Sequence, residues 1–505
     1  MAAIARIVVG ILALAIVLTA VWQLDASRAG LNIETVRLGN TPVRIYQKSG
    51  TAGQPTVVIA HGFAGSQQLM QPIALTIARN GYTAVTFDFL GHGRNAEPLT
   101  GDITREVGAT QALLAQLEEV IAFARGLPSA SGDIVLLAHS MGSDIIVRAA
   151  NNDPDIAAAI AVSMFSREVR DDSPRNLLVI VGGWEGGLKE EALRVVALAH
   201  SGDIEEAVTY GDFDSGTARR AVFADQVEHV GVLYSVETMA EIRDWLNTIF
   251  SQDRDGILVI WGPWLGLLFL GAVVLAWPLS RLLPRVVEKK TSTSLGWRSF
   301  LLLAIVPAIV TPLILTVLPI SFLPVLVGDY LAVHFGLYGV ITAAGVMWAR
   351  PQMIEATKLR WGRLVFATSI VTVFGLAAIV WPIDRYVTAL APIDSRLPLL
   401  GVMLVGMLLY FLADEWLNHN VATGRGRYLV TKICFLASLA LAIALNVEQL
   451  FFLIIIFPII VLFFIIFGLF SAWSYRVTGH QAVAAIANAV AFAVAIAGSF
   501  PMIEG

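Results

Sequence analysis

Ser140 is the residue whose surroundings first suggest chemistry. It stands in Ala138-His139-Ser140-Met141-Gly142, after the apolar run IVLLA and before SDIIVRAA. A strand-like run, a sharp turn and a helical pattern follow one another there. A serine hydroxyl is a weak nucleophile at neutral pH and needs a neighbouring base. A histidine can take its proton and later return it to a leaving group. A carboxylate can hold that imidazole in one tautomer and stabilise its charged form. The same region offers His61, His92, His139, His200 and His229 as bases, and Glu185, Asp171, Asp172, Asp212 and Asp214 as acids. The single cysteine, Cys434, excludes an internal disulfide and a cysteine-built metal site.

These residues need a scaffold, and the pattern from 25 to 255 supplies one. Strands are expected at 43–47, 56–60, 83–87, 134–138, 157–163, 177–182 and 220–224, with helical stretches at 67–80, 104–125, 141–151, 188–200 and 236–250. Strands alternating with helices predict a mainly parallel, doubly wound sheet covered on both faces. Ligands in such folds sit outside the carboxyl ends of the strands. Ser140 and Glu185 both follow strand candidates, and His229 comes shortly after the last of them.

The turn around Ser140 resembles the nucleophile elbow of the α/β-hydrolase superfamily, G-x-S-x-G. In that elbow a strained turn lifts the hydroxyl above the sheet, and small residues flank it because strand and helix backbones approach closely. Gly142 meets that need, and Ala138 stands in for the first glycine with one added methyl. VVIAHGFAGS at 57–66 is similar to the superfamily's strand followed by His-Gly-x, and TFDFLGHGRN at 86–95 to its structural D-x-x-G-H-G turn, built here from Asp88, Gly91, His92 and Gly93. The resemblance implies backbone N–H donors from Phe63 and Met141 for a tetrahedral oxyanion, the kind of stabilisation worth about 2.7–4 kcal/mol per donor. The superfamily's chain order is serine, acid, histidine. It implies Ser140 as nucleophile, Glu185 in Gly182-Gly183-Trp184-Glu185-Gly186 as acid and His229 as base, with Asp171 or Asp172 the main alternatives for the acid. The resemblance covers roughly residues 31–250. The chain between 163 and 177 is too short for an inserted cap, so the domain resembles minimal dienelactone hydrolases, esterases and thioesterases. The expectation is then an open site, or one covered by the membrane part of the protein or the bilayer surface. No cofactor and no metal is implied.

The rest of the chain is apolar. Of its 505 residues 56% are hydrophobic and 14% charged, with a mean hydropathy of +0.72. Soluble proteins are nearer a quarter charged, so a disordered chain, a basic nucleic-acid binder and a purely soluble enzyme are excluded. The net charge of -5 gives no reason to expect a polyanionic partner. Residues 4–22 form an apolar run with Arg6 near its start, read as a signal anchor rather than a cleaved signal peptide. About eight further spans are expected at 257–279, 299–318, 329–349, 364–383, 397–416, 429–447, 450–473 and 481–500. Continuous apolar runs of this length must be helices, because lipid cannot satisfy free backbone groups. Three domains follow: 1–24 as the anchor, 25–255 as the α/β-hydrolase domain and 256–505 as an all-α bundle.

Basic residues crowd the loops 280–298, 350–363, 417–428 and 474–480, including Arg281, Arg285, Lys289, Lys290, Arg350, Lys358 and Arg425. The opposite loops hold Arg385 and Arg396. The positive-inside rule places the rich side and the N-terminus in the cytoplasm, and residues 25–255 outside it. Pro307, Pro312, Pro319 and Pro324 predict a kink or partial re-entry across 299–328, and Trp261 with Trp264 reads as an interfacial anchor. The expected partners are the lipid bilayer and an ester or thioester substrate, lipidic by location. Two other functions use the same residues: acyl transfer through the same triad, and a transporter, channel or sensor with a non-catalytic hydrolase-like domain. Asp329, His334, Asp414, Glu415 and Glu448 at span ends read as helix-end residues.

Overall fold

The computed structural model describes residues 2–101, 108–200, 202–287, 295–349, 359–421 and 426–504. The start of the expected helix at 104 and the loop residues Lys289, Lys290, Arg350, Lys358 and Arg425 lie outside them.

The strands are β1 (Leu31–Leu38), β2 (Thr41–Lys48), β3 (Gln54–Ala60), β4 (Thr83–Phe87), β5 (Ala130–His139), β6 (Ile156–Val162), β7 (Leu177–Gly182), β8 (Thr209–Tyr210) and β9 (Arg219–Ala224). They form one sheet in the order β1-β2-β4-β3-β5-β6-β7-β9-β8. The run from β4 through β9 pairs in parallel, while β1 with β2, β2 with β4 and β8 with β9 are antiparallel. Edge strands β1 and β8 were not expected. The first, LNIETVRL, is half-exposed along its length and mixes charge into its pattern, and the second has two residues.

Near-continuous apolar strands need cover on both faces. Along β3, Val57 and Ile59 enter one core while Val58 and Ala60 enter the other. The second face is covered by α3 (Ala109–Arg125), α4 (Met141–Asn152) and α5 (Gly186–Ala197) through Leu117, Ile146 and Val195. The first face is covered by α2 (Gln71–Arg79) and α6 (Val236–Ile249), through Ile73 and Trp245 among others. Two long apolar helices, α1 (Ala2–Ala26) and α7 (Gly262–Leu279), extend the same core with Leu24 and Leu268. The sheet and the apolar half of the chain therefore share a core rather than being linked by a tether.

Among the described residues nine helices are long and apolar enough to cross a membrane. The eight after the sheet begin near the expected positions, with Trp297–Leu315 ending before 318 and Leu453–Thr478 running past 473. Pro307 and Pro312 lie inside Trp297–Leu315, which stays helical throughout, and the non-helical chain starts only after it. Helices Gly328–Ala349 and Leu397–Trp416 cross very closely. A Cβ at Gly406 would fall 2.2 Å from the carbonyl oxygen of Ala332, so a glycine there lets the two helix backbones approach. Within the bundle Lys432 pairs with Asp414, and Glu415 accepts from His419 at 3.0 Å and from Ser471.

One end of the bundle meets the sheet domain through polar contacts. Arg94 pairs with Asp384 at 2.8 Å, and Arg385 with Asp25 at 3.0 Å. Arg396 is buried and donates to the carbonyls of Gly91, Ala497 and Phe500 at 2.7–2.8 Å. The segment after helix Ala482–Ser499 joins by backbone, with Leu99 N–H donating to Met502 and Met502 N–H to Gly91.

Candidate active site

The turn between β5 and α4 is strained at one residue. Ser140 has φ 52° and ψ -120°, a region that costs of order 1–3 kcal/mol for a residue with a side chain. Neighbouring structure holds it there: Ser140 N–H donates to the Val162 carbonyl on β6 at 2.9 Å. A Cβ at Gly142 would lie 2.7 Å from the His61 carbonyl oxygen, so only glycine lets α4 approach the β3 loop. Ala138 is fully buried beside it, and its methyl is accommodated.

The strained turn aims the hydroxyl at an imidazole. Ser140 Oγ lies 2.9 Å from His229 Nε2, and His229 Nδ1 lies 2.5 Å from Glu185 Oε1. A carboxylate only accepts, so Nδ1 carries the ring proton and Nε2 accepts from the serine. The second carboxylate oxygen accepts from Ser163 Oγ at 2.6 Å and from Gly182 N–H at 2.7 Å. Burial by itself would raise the Glu185 carboxyl; the donors from His229, Ser163 and Gly182 outweigh it and hold it below the usual carboxylate range. Each partner comes from a strand end: Ser140 after β5, Ser163 after β6, Glu185 after β7 and His229 after β9.

The other candidates lie elsewhere. Asp171 gives its backbone carbonyl to Arg219, and its side chain accepts from Asp172 N–H. Asp212 closes a local turn with Ser215, and His200 packs on Tyr210. Asp88 is buried and accepts from Gln67 and from Arg94 N–H, which locks its turn. His61 accepts from Phe89 N–H at 3.0 Å, and His92 donates to Leu90 at 2.8 Å. Phe63 lies on the loop after β3, and Met141 opens α4 directly after the serine. Among the described residues no group of three or more His, Cys, Asp or Glu could hold a metal ion.

Two contributors escaped the sequence reading. Ser163 is one; its position directly after a strand was the available signal. His139 is the other; the sequence offers it as a base, but not as a support for His229. Its Nε2 donates to the carbonyl of His229 at 2.8 Å, and the two rings pack at 4.7 Å. Burial, with His229 beside it, pushes His139 down to about 3, so it is a neutral strut.

A cavity of about 150 Å³ opens in front of Ser140. The sheet domain contributes Phe63, His139 and His229, while Ile460, Phe463 and Phe492 come from the apolar helices. No sequence signal announced those last three residues.

Residues 52–191 match a family model described as serine aminopeptidase, S33. With the sheet order above, that match decides the fold. The sheet-bearing part of this chain has the α/β-hydrolase fold. Solved structures similar to the hydrolase include a CIB-like hydrolase from Thermoplasma acidophilum, 16% identical over 43% of this chain and 98% of that one, with a TM-score of 0.33. A membrane phospholipase A described as a bacterial virulence factor is 13% identical over 49% and 96%, with a TM-score of 0.33. A hormone-sensitive lipase from a metagenome library is 12% identical over 46% and 92%, with a TM-score of 0.32. No curated protein matches the chain.

Proposed function

We propose that this protein is a membrane-embedded serine hydrolase that cleaves an ester or thioester through an acyl-enzyme. The carrying observation is the unbroken line from Ser140 Oγ to His229 at 2.9 Å and on to Glu185 at 2.5 Å. His229 Nε2 takes the Ser140 proton as Oγ attacks the acyl carbon. The N–H groups of Phe63 and Met141 receive the developing oxyanion. As the tetrahedral adduct collapses, the bond to the leaving oxygen or sulfur breaks, and His229 protonates that group. Water then enters, gives its proton to His229, attacks the Ser140 ester and releases the acid, returning the proton to Oγ. Glu185 holds the ring proton on Nδ1 throughout and stabilises the imidazolium.

The chain divides at about 24 and 255 into an anchor, the hydrolase and a polytopic bundle, with the hydrolase outside the cytoplasm. Support comes from the charges. The hydrolase meets the bundle end bearing Arg385 and Arg396, while Arg363, at the opposite end of the span Trp361–Tyr386, donates to the Arg285 carbonyl. A reporter active only in the cytoplasm should be silent when fused after Phe250.

The decisive experiment is labelling of the full chain with a fluorophosphonate. Wild type should label and Ser140→Ala should not. A folded wild type that stays unlabelled would overturn the enzymatic reading in favour of a binding domain.

A further inference from the structure

We propose that the cavity in front of Ser140 holds the acyl chain of a bilayer lipid ester or thioester, and that the chain enters sideways between the hydrolase and the membrane helices. This rests on Ser140 being the nucleophile. It adds where the substrate comes from and which residues measure it.

The lining is the first argument. Among the described residues, the cavity walls around Ser140 and His229 carry no lysine, arginine, aspartate or glutamate. A phosphate, carboxylate or ammonium group would find no ionic partner there, whereas an alkyl chain would meet Ile456, Ile460, Phe463, Phe492 and Ile496. Apolar pockets of this kind draw their affinity from burial, with few polar groups setting orientation.

The second argument is the position of these residues. Ile456, Ile460 and Phe463 lie in the first half of helix Leu453–Thr478, and Ile496 lies near the end of helix Ala482–Ser499. Both helices are apolar enough to cross a membrane, so the reactive hydroxyl faces the hydrophobic end of the bundle rather than open water. Val387 and Thr388 close another side, tied down where Ala389 N–H donates to Ser66 Oγ at 2.9 Å.

The third argument is the opening. Ile459 also lines the cavity, yet 52% of its surface is exposed. Leu462 and Ile465 on the same helix are exposed as well, so this surface is apolar and has no protein cover. Such a surface on a spanning helix belongs against lipid. A cavity that reaches Ile459 therefore reaches the bilayer.

Size sets the expected selectivity. A cavity near 150 Å³ takes up a benzene-sized guest, so the enclosed part accommodates roughly six carbons, and longer chains must trail past Ile459. Burying one methylene is worth about 0.8 kcal/mol, or about fourfold in kcat/KM per added carbon until the enclosed part is full.

The test uses the full chain. In detergent, kcat/KM is measured for nitrophenyl esters from acetyl to dodecanoyl, and the octanoyl-to-acetyl ratio is taken for each variant so that general losses cancel. Wild type should climb about fourfold per carbon to roughly six carbons and then flatten. Ile460→Phe should lower the ratio tenfold or more. In liposomes, Ile459→Trp, at an exposed position where folding is not at stake, should slow hydrolysis of an embedded long-chain lipid ester at least tenfold relative to a water-soluble butyryl ester. A flat wild-type profile, an unchanged ratio in Ile460→Phe, or equal effects of Ile459→Trp on both substrates overturns the proposal. Fluorophosphonate labelling separates the failures. Labelled protein with a flat profile sinks the acyl site alone, and unlabelled folded protein sinks the nucleophile with it.

Discussion

The ring of Phe63, on the loop after β3, stacks on the ring of Phe452 at the head of the apolar helix Leu453–Thr478, with centroids 3.9 Å apart. The loop proposed to aim a backbone donor is thus braced by the bundle. Aromatic pairs of this kind contribute about 0.5–1.5 kcal/mol beyond burial. Phe452→Ala should therefore lower kcat/KM about two- to tenfold, chiefly in kcat, while fluorophosphonate still labels Ser140. An unchanged kcat would show that the bundle does not brace the loop.

Ser163 donates to the Glu185 oxygen that His229 does not use. A hydrogen bond to a charged group contributes about 1.5–3 kcal/mol. In Ser163→Ala the acid should be less firmly held, and turnover should fall about tenfold or more with KM little changed. Glu185→Gln should be far worse, near the 10⁴-fold loss seen when the triad carboxylate of a serine protease becomes an amide. Full turnover by Glu185→Gln would remove it from the triad. Steady-state kinetics on one short ester decides both.

His139 supports the base from behind, through the His229 carbonyl. His139→Phe keeps a ring of similar size and deletes the donor. A neutral hydrogen bond contributes about 0.5–1.5 kcal/mol, so kcat should fall about two- to tenfold and KM should not move. His139→Gln, which restores an N–H donor, should recover part of the loss. If both variants fall equally, His139 only fills space.

Acid should destabilise the hydrolase well above the carboxylate range. His92 and His139 are pushed from 6.5 down to about 3 by burial, and His61 is lowered for the same reason. In the unfolded chain these rings protonate near 6.5, while in the folded chain they stay neutral much lower. The unfolded state binds more protons across that window, so stability falls as pH drops from about 6.5 toward 3 and levels off below. Thermal unfolding in detergent should show the hydrolase midpoint already falling between about pH 7 and about pH 5. A constant midpoint there would mean the rings are not buried and neutral.

Much of the site could be read in one dimension because its parts are local. Residues 138–142 declare a turn that needs small flanks, and Gly182 to Gly186 declare a tight turn carrying an acid at a strand end. His229 was reachable only through the superfamily's chain order, since nothing next to it in sequence marks it out. Ser163 and His139 were not legible as partners, because a serine just after a strand or a histidine at a strand's end is common. Their roles depend on which side chain lies opposite across the sheet edge. Strand β1 was missed for another reason: it is an edge strand, half in water, and it lacks the continuous apolar run that marked the buried ones.

The sequence by itself determined the class of the sheet, the strained serine turn and the number of apolar helices. Those follow from hydrophobic period and local backbone sterics, which act over a few neighbouring residues. Only the tertiary structure decided that Ile460, Phe463 and Phe492 wall the cavity before Ser140 and that Phe452 braces Phe63. Those contacts join residues some three to four hundred positions apart. An apolar side chain looks the same in sequence whether it meets lipid, another helix or a substrate, and packing alone assigns its neighbour.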